Sequence, residues 1–176
     1  MTSIDRLGVT GGAELVETAG RLAREFADEA HALARRGNTF IIVPPDAIVA
    51  NPSIYNFGLQ DHLLDIAENY FGTPVGYDGV LINYTVADGR EIGTRKWHLD
   101  WEDRRMLKIA VYLNDVDEAG GPFEHIWRMD TRQSDSRGYQ YMSVDTDELE
   151  RRLGVGFADD VVSCIGPRGT GILNDT

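Results

Sequence analysis

The sequence has one cysteine, Cys164, and no long apolar run. A single cysteine excludes a disulfide within the chain, so a reducing, cytoplasmic location is our default expectation. No apolar stretch approaches the roughly 18 residues that a membrane-spanning helix needs. The first residues also lack the basic start and apolar core of a signal peptide. We therefore expect no membrane partner.

Basic residues are scarce as well: 17 Lys and Arg stand against 29 Asp and Glu, which gives a net charge of −12. Such a surface repels a phosphate backbone, so we expect no nucleic-acid partner. The acidic residues are scattered, as on a solvated surface that keeps a protein in solution. The sequence also lacks a phosphate-binding loop ending in Lys-Ser or Lys-Thr, a cysteine pair for zinc and a Gly-x-Ser-x-Gly elbow.

The order of the predicted elements indicates one domain over residues 1–176, with a helical layer over about 13–72 and strands over about 75–176. Residues 1–12 are predicted to be a mobile lead-in. Apolar residues recur at three and four over 13–33 and 59–71, which predicts two helices. Between them, "TFIIVPP" predicts a strand, followed by a loop that contains "NPS".

The second part of the chain is mainly short segments rich in β-branched and aromatic residues, separated by turns such as "ADG", "EAGGP" and "PRG". One short helix is predicted in "SVDTDELERRLG", with Asp145 or Thr146 as its cap. Helices followed by antiparallel strands predict a mainly β fold with flanking helices, a sandwich or barrel under a helical layer.

The stretch "KWHLDWEDRR" contains the strongest candidate for a metal site. His98 and Asp100 are two residues apart, so on a strand their side chains point to the same face. Non-haem Fe(II) oxygenases use such a pair with a second histidine as a facial triad. Lys96 shares this face, while Trp97 and Trp101 take the other, which fits a strand whose polar face lines a cavity. The alternative is a hydrogen-bonded His–Asp pair on a sheet surface.

The longer stretch "WHLDWEDRRMLKIAVYLNDVDEAGGPFEHI" resembles the phytanoyl-CoA dioxygenase-like family of Fe(II)- and 2-oxoglutarate-dependent oxygenases. That family has a Trp-His-x-Asp stretch, a strand of the "LKVFIYLNDV" type and a "GPFEYVPGSH"-like segment. "NPSI…LLDIAENYFG" upstream and "GPRGTGILNDT" downstream are similar too, so the resemblance covers most of residues 39–176. It implies a double-stranded β-helix, a cupin-like jelly roll, with helices packed on one sheet.

The resemblance also implies the chemistry. His98 and Asp100 would be the first two metal ligands, Fe(II) and 2-oxoglutarate the cofactors, and dioxygen and a small molecule the substrates. Halogenating relatives replace the carboxylate with a small residue so that chloride binds iron. Asp100 therefore favours hydroxylation.

Four residues are expected at the 2-oxoglutarate site. Asn83 and Tyr84 lie on the strand before the metal pair, where folds of this kind often contact that co-substrate. Lys96 shares the face of the metal pair. Tyr112 shares a face with Lys108, opposite Ile109, Val111 and Leu113, and reaches the co-substrate or substrate if that face lines the cavity. The alternative for Tyr112 is a packed aromatic.

Two residues are assigned to the substrate, Trp101 and His125. Trp101 is either a platform for the substrate or a packing residue. His125 stands where the family pattern has an aromatic residue.

In the family, a strand like "GTGILNDT" leads to a distal histidine and then to an arginine that pairs with 2-oxoglutarate, whereas this sequence stops at Thr176. Three explanations stay open. The C-terminus of the chain is incomplete, so that the jelly roll lacks its last strands; His125 is the third ligand; or the domain is a non-catalytic cupin-like module that binds a small ligand without iron.

Overall fold

The structure is a computed structural model, and it describes residues 1–98, 106–126, 143–153 and 157–175. Its helices are α1 (Gly12–Glu25), α2 (Ala27–Ala34), α3 (Pro45–Val49), α4 (Pro52–Phe57), α5 (Asp61–Phe71) and α6 (Thr146–Leu153). Its strands are β1 (Thr2–Ser3), β2 (Phe40–Ile42), β3 (Asn83–Thr85), β4 (Leu107–Val111), β5 (Phe123–Ile126), β6 (Val161–Cys164) and β7 (Thr170–Asp175).

The helix predicted over 13–33 is two helices that meet at Phe26. This residue leaves the helical region, with φ −99° and ψ 6°, and its amide donates to the carbonyls of Ala23 and Arg24. Its half-buried ring packs against two groups of core residues, one on each side of the break. The apolar period continues through the break, although the buried residues of α1 belong to one group and Ala30 of α2 belongs to the other.

Two short helices occupy the stretch predicted to be a loop around "NPS", so that prediction was wrong. Each begins with a proline, Pro45 in α3 and Pro52 in α4. Proline suits the first helical position because its fixed φ matches the helix and no amide partner is needed there. Ile48 and Ile54 then fix the helices to the core, with only 3% and 1% of their surfaces exposed.

The N-terminal residues are part of the fold, and the prediction of a mobile lead-in was wrong. Thr2 and Ser3 pair with Gly171 and Thr170 of β7. Ile4 and Leu7 follow in a 3₁₀ turn and are 3% and 7% exposed. Their spacing of three places both side chains on the inner side of that turn, a signal too short to stand out as periodicity.

The strands form antiparallel sheets. One has the order β1-β7-β4, with Lys108 opposite Asn174 and Ala110 opposite Ile172. A second pairs β2 with β3, and a third pairs β5 with β6. The turn between β6 and β7 is the predicted "PRG", and Arg168 within it donates to Glu17 of α1 at 2.8 Å. The C-terminal strands are thereby tied to the first helix.

The main core lies between the helices and one face of two sheets. Buried residues of α1, α3, α4 and α5 pack there against two segments of the sheets. One is Ile82 and Tyr84, at and just before β3. The other is Ile109 and Val111 of β4 with Leu113, which follows it. The predicted alternation along β4 is confirmed on this side. Helices therefore cover one face of both sheets, and the other face points away from them.

The described strands belong to three small sheets, and the double-stranded β-helix stays a prediction. Across the described residues, every helix is too short or too polar to cross a membrane.

Candidate functional site

The segment before the predicted metal pair is extended and anchored at Trp97. Its amide donates to the carbonyl of Val144 at 3.0 Å, and the amide of Val144 donates back at 2.8 Å. The indole Nε1 donates to Thr146 Oγ1 at 3.2 Å. This two-way bridge is an isolated antiparallel pairing at Trp97. The strand predicted over "TRKWHLDW" was wrong at Thr94 and Arg95, which lie in a 3₁₀ turn, and residues 99–101 of that prediction lie outside the described residues.

The ring of His98 is held by its own chain. Nδ1 lies 2.7 Å from the carbonyl oxygen of Lys96. A carbonyl only accepts, so Nδ1 carries a proton, and in the neutral form of the ring the lone pair is then on Nε2. Metal-binding histidines commonly make such a bond with their second nitrogen, which fixes the tautomer. His98 is also exposed, and its donor chemistry fits an Fe(II) ligand.

Asp100 and Trp101 lie outside the described residues. Within the described ranges, no three His, Cys, Asp or Glu side chains gather as a metal site would require. The assignments of Asp100 to the metal and of Trp101 to the substrate therefore stay predictions.

Asn83 and Tyr84 are neighbours on β3 and so point to opposite faces. Tyr84 packs partly buried against both groups of core residues, with its ring 6.2 Å from that of His31 in an edge contact. Asn83 is exposed and pairs with Ile42 of β2, on the face away from the helices. Of the two, Asn83 has the position that a cavity-lining residue would need.

Lys108 and Tyr112 share the face of β4 opposite the helical core. Lys108 pairs with Asn174, and Tyr112 continues the same row, its amide donating to Thr170 at 3.0 Å. Lys96, another residue predicted at the co-substrate site, lies directly before Trp97 in the segment that leads to His98, and it is half-buried. The structure thus puts Lys108 and Asn83 on sheet faces that both turn away from the same helical layer.

The hydroxyl of Tyr112 joins two sheets. It donates to the carbonyl of Cys164 in β6 at 2.7 Å and accepts from the amide of Phe123 in β5 at 3.1 Å. Burial raises the pKa of the Tyr112 phenol, although the bond from the Phe123 amide opposes this. The hydroxyl therefore stays protonated and fastens β4 to β5 and β6, a packing role that its sequence also allowed.

His125 lies beside the cysteine on the same paired strands. Its Nδ1 is 3.8 Å from Sγ of Cys164, and its ring stacks on Phe123 at 6.0 Å between centroids. Burial raises the pKa of the Cys164 thiol, so the sulfur is a neutral neighbour. Tyr112 and His125, both predicted site residues, are thus brought together around Cys164.

Sequence reasoning missed a charged cluster just upstream of His98. The Asp88 carboxylate accepts hydrogen bonds from Arg90 and from Arg95. These two guanidinium groups hold the pKa of Asp88 far below its usual range, with the bond from Arg90 the larger cause. The spacing of Asp88, Arg90 and Arg95 showed only mixed charges around a turn; the carbonyls that the arginines reach lie on distant segments.

Comparisons with family models, with curated proteins and with solved structures found no match.

Proposed function

We propose that this chain is an Fe(II)- and 2-oxoglutarate-dependent oxygenase that hydroxylates a small molecule, of the phytanoyl-CoA dioxygenase-like kind. The proposal extends to a jelly-roll fold and to a cytoplasmic location.

The observation that carries the proposal is the two-sided character of the strands. Tyr84 and Ile109 pack on one helical core, while Asn83 and Lys108 lie on the opposite faces of their strands. These second faces carry apolar as well as polar side chains, since Ile42 lies opposite Asn83 and the buried Ile172 lies opposite Ala110 in the Lys108 row. Apolar side chains with a few polar groups among them are what the lining of a small-ligand cavity needs. Two residues predicted at the co-substrate site belong to that second side. They are Asn83 on β3 and Tyr112, which follows β4 in the row of Lys108.

In this proposal, Nε2 of His98 and the carboxylate of Asp100 hold Fe(II). Bound Fe(II) with 2-oxoglutarate supplies the oxidation chemistry, in which dioxygen, 2-oxoglutarate and a C–H bond give carbon dioxide, succinate and an alcohol. The chain's own residues orient the reactants. The bond from Nδ1 to Lys96 keeps the His98 ring in place, and the ammonium groups of Lys96 and Lys108 attract the carboxylates of 2-oxoglutarate.

The test is turnover of 2-oxoglutarate. The protein, with any residues that the gene encodes beyond Thr176, is incubated with Fe(II), 2-oxoglutarate, ascorbate and oxygen, and succinate is measured. We expect succinate from the native chain and none above background from His98→Ala. His62→Ala is the matched control, because His62 is an exposed histidine of α5 whose ring lies against Gly8. Equal succinate from the native chain and His98→Ala would refute the proposal.

Reading the gene beyond the codon for Thr176 separates the proposal from the binding-module alternative. The oxygenase proposal expects a histidine soon after β7, followed by an arginine. A stop codon there would favour a non-catalytic module.

A further inference from the structure

Asp88, Arg90 and Arg95 form a clamp on the loop after β3, and we propose that Arg95 in this clamp positions the His98 segment, whereas Arg90 anchors the loop to the helical layer. The role toward Fe(II) rests on the proposed function, whereas the role toward the His98 ring does not.

Arg95 fastens the chain just before the motif to the sheet of β2 and β3. Its Nη2 donates to the carbonyl of Thr39 at 2.8 Å and also to that of Val86. Its Nη1 donates to Asp88 at 2.6 Å and to the carbonyl of Arg90 at 3.1 Å. One guanidinium therefore joins both strand ends to the loop that leaves β3.

The inward position of Arg95 is not that of a solvated surface arginine. Its side chain is 19% exposed, and its Nε is buried with no hydrogen-bond partner among the described atoms. Leaving a buried donor unpaired costs free energy. The contacts of the two Nη atoms offset that cost and hold the side chain in.

Arg90 completes the clamp on the other side of Asp88. It donates through Nε to Asp88 at 2.9 Å and through Nη2 to the carbonyls of Ala34 at 3.1 Å and Asn38 at 2.8 Å. Those carbonyls lie at the end of α2 and in the turn after it. Arg90 therefore ties the loop to the helical layer, whereas Arg95 ties it to the sheet.

Two hydrogen bonds lie on the short path from Arg95 to the His98 ring. Residues Gly93–Arg95 form a 3₁₀ turn, and the amide of Lys96 donates to Gly93 at 3.1 Å. The carbonyl of Lys96 then accepts from Nδ1 of His98. The direction of the Lys96 carbonyl fixes the orientation of the imidazole ring. The clamp fixes the position of the 3₁₀ turn that precedes Lys96.

The test compares one substitution at two positions, Arg95→Lys and Arg90→Lys. Lysine keeps the charge but lacks the planar fork that reaches several acceptors. Both variants keep Asp88. Arg95→Lys removes the guanidinium donor from the carbonyls of Thr39 and Val86, whereas Arg90→Lys removes it from those of Ala34 and Asn38. Three quantities are measured: hydrogen exchange at the Trp97 amide, the tautomer of His98 by ¹⁵N NMR in the metal-free protein, and the Kd for Fe(II).

We expect Arg95→Lys to speed exchange at Trp97, to lower the share of the tautomer protonated at Nδ1, and to weaken Fe(II) binding by about tenfold. Arg90→Lys should leave all three near the native values. If Arg95→Lys folds and changes neither the exchange nor the tautomer, or if Arg90→Lys changes them equally, Arg95 is not the residue that positions His98.

Should Arg95→Lys fail to fold, Asp88→Asn decides by the same readouts, since it leaves the other acceptors of Arg95 in place. We expect smaller changes in the same direction, and unchanged values would overturn the inference. A native chain that binds no Fe(II), together with a tautomer shift in Arg95→Lys, would refute the proposed function and leave the clamp standing.

Discussion

At the scale of single residues, the hydrogen bond from His98 to Lys96 links the sequence motif to chemistry. The sequence predicts that a histidine and an aspartate share a strand face, and from that pattern alone the pair is equally an ordinary surface contact. The structure adds the bond between Nδ1 and the Lys96 carbonyl at 2.7 Å, which indicates that the lone pair of the neutral ring is on Nε2. That information depends on backbone direction, which residue types do not encode.

Tyr112 offers a residue-scale prediction about stability. Tyr112→Phe removes the donor to Cys164 and the acceptor for the Phe123 amide. We expect the free energy of unfolding to fall by about 1–3 kcal/mol, because two backbone groups lose their partner. Urea denaturation measures this.

Tyr70→Phe is the matched control for that measurement. The Tyr70 hydroxyl donates to Asp175 at 2.5 Å, but Tyr70 is 52% exposed. Surface changes of this kind stay within about 0.5 kcal/mol. Equal losses from the two variants would show that the Tyr112 hydroxyl does not join the sheets.

Asp88 predicts a pH dependence. Arg90 and Arg95 hold its pKa far below the ordinary value, which is about 3.9 in an unfolded chain. The carboxylate therefore stabilises the fold above about pH 4, and this contribution is lost as the pH falls toward the folded-state pKa. Below about pH 4, the native chain should lose stability more steeply than Asp88→Asn in urea titrations. Parallel pH profiles would contradict this role of Asp88.

At the scale of elements, the longer patterns predicted where helices and strands lie, although the helix predicted over 13–33 is divided at Phe26. The helix predicted over 59–71 appears as Asp61–Phe71, and β6 and β7 form where β-branched residues flank "PRG". Asp145 caps α6 by accepting from the amide of Glu148 at 2.9 Å. Short elements were missed: α3 and α4 have too few turns to show a period, and β1 exists only because β7 pairs with it.

Gly166 carries a prediction at this scale. A Cβ at this position would meet the side chain of Thr170, with Cγ2 3.0 Å away, whereas a Cβ at Gly76 would meet no atom of the described residues within 4 Å. Gly166→Ala should therefore lower the free energy of unfolding by about 1–3 kcal/mol through overpacking. Gly76→Ala should stay within about 0.5 kcal/mol. Calorimetry that finds Gly166→Ala as stable as Gly76→Ala would contradict this. It would mean that Gly166, which pairs with Val116, can move away from Thr170 of β7.

At the scale of the whole molecule, the arrangement of helices on one face of the strands was predictable, and the way in which the strands join was not. Apolar alternation in "LKIAVYL" told which side of β4 meets the helices, and Ile109, Val111 and Leu113 confirm it. Which strands pair depends on contacts between distant segments, such as that of β1 with β7. The same holds for Arg95, since its acceptors at Thr39 and Val86 are adjacent only in the folded chain.

The most direct test of the central claim is equilibrium binding of Fe(II) to the native chain, with any residues that the gene encodes beyond Thr176 and with 2-oxoglutarate present, compared with His98→Ala and His62→Ala. We predict one Fe(II) per chain, an affinity weakened by more than about tenfold in His98→Ala, and native affinity in His62→Ala. Equal affinity of the native chain and His98→Ala, or no binding by the native chain, would contradict an iron site at His98.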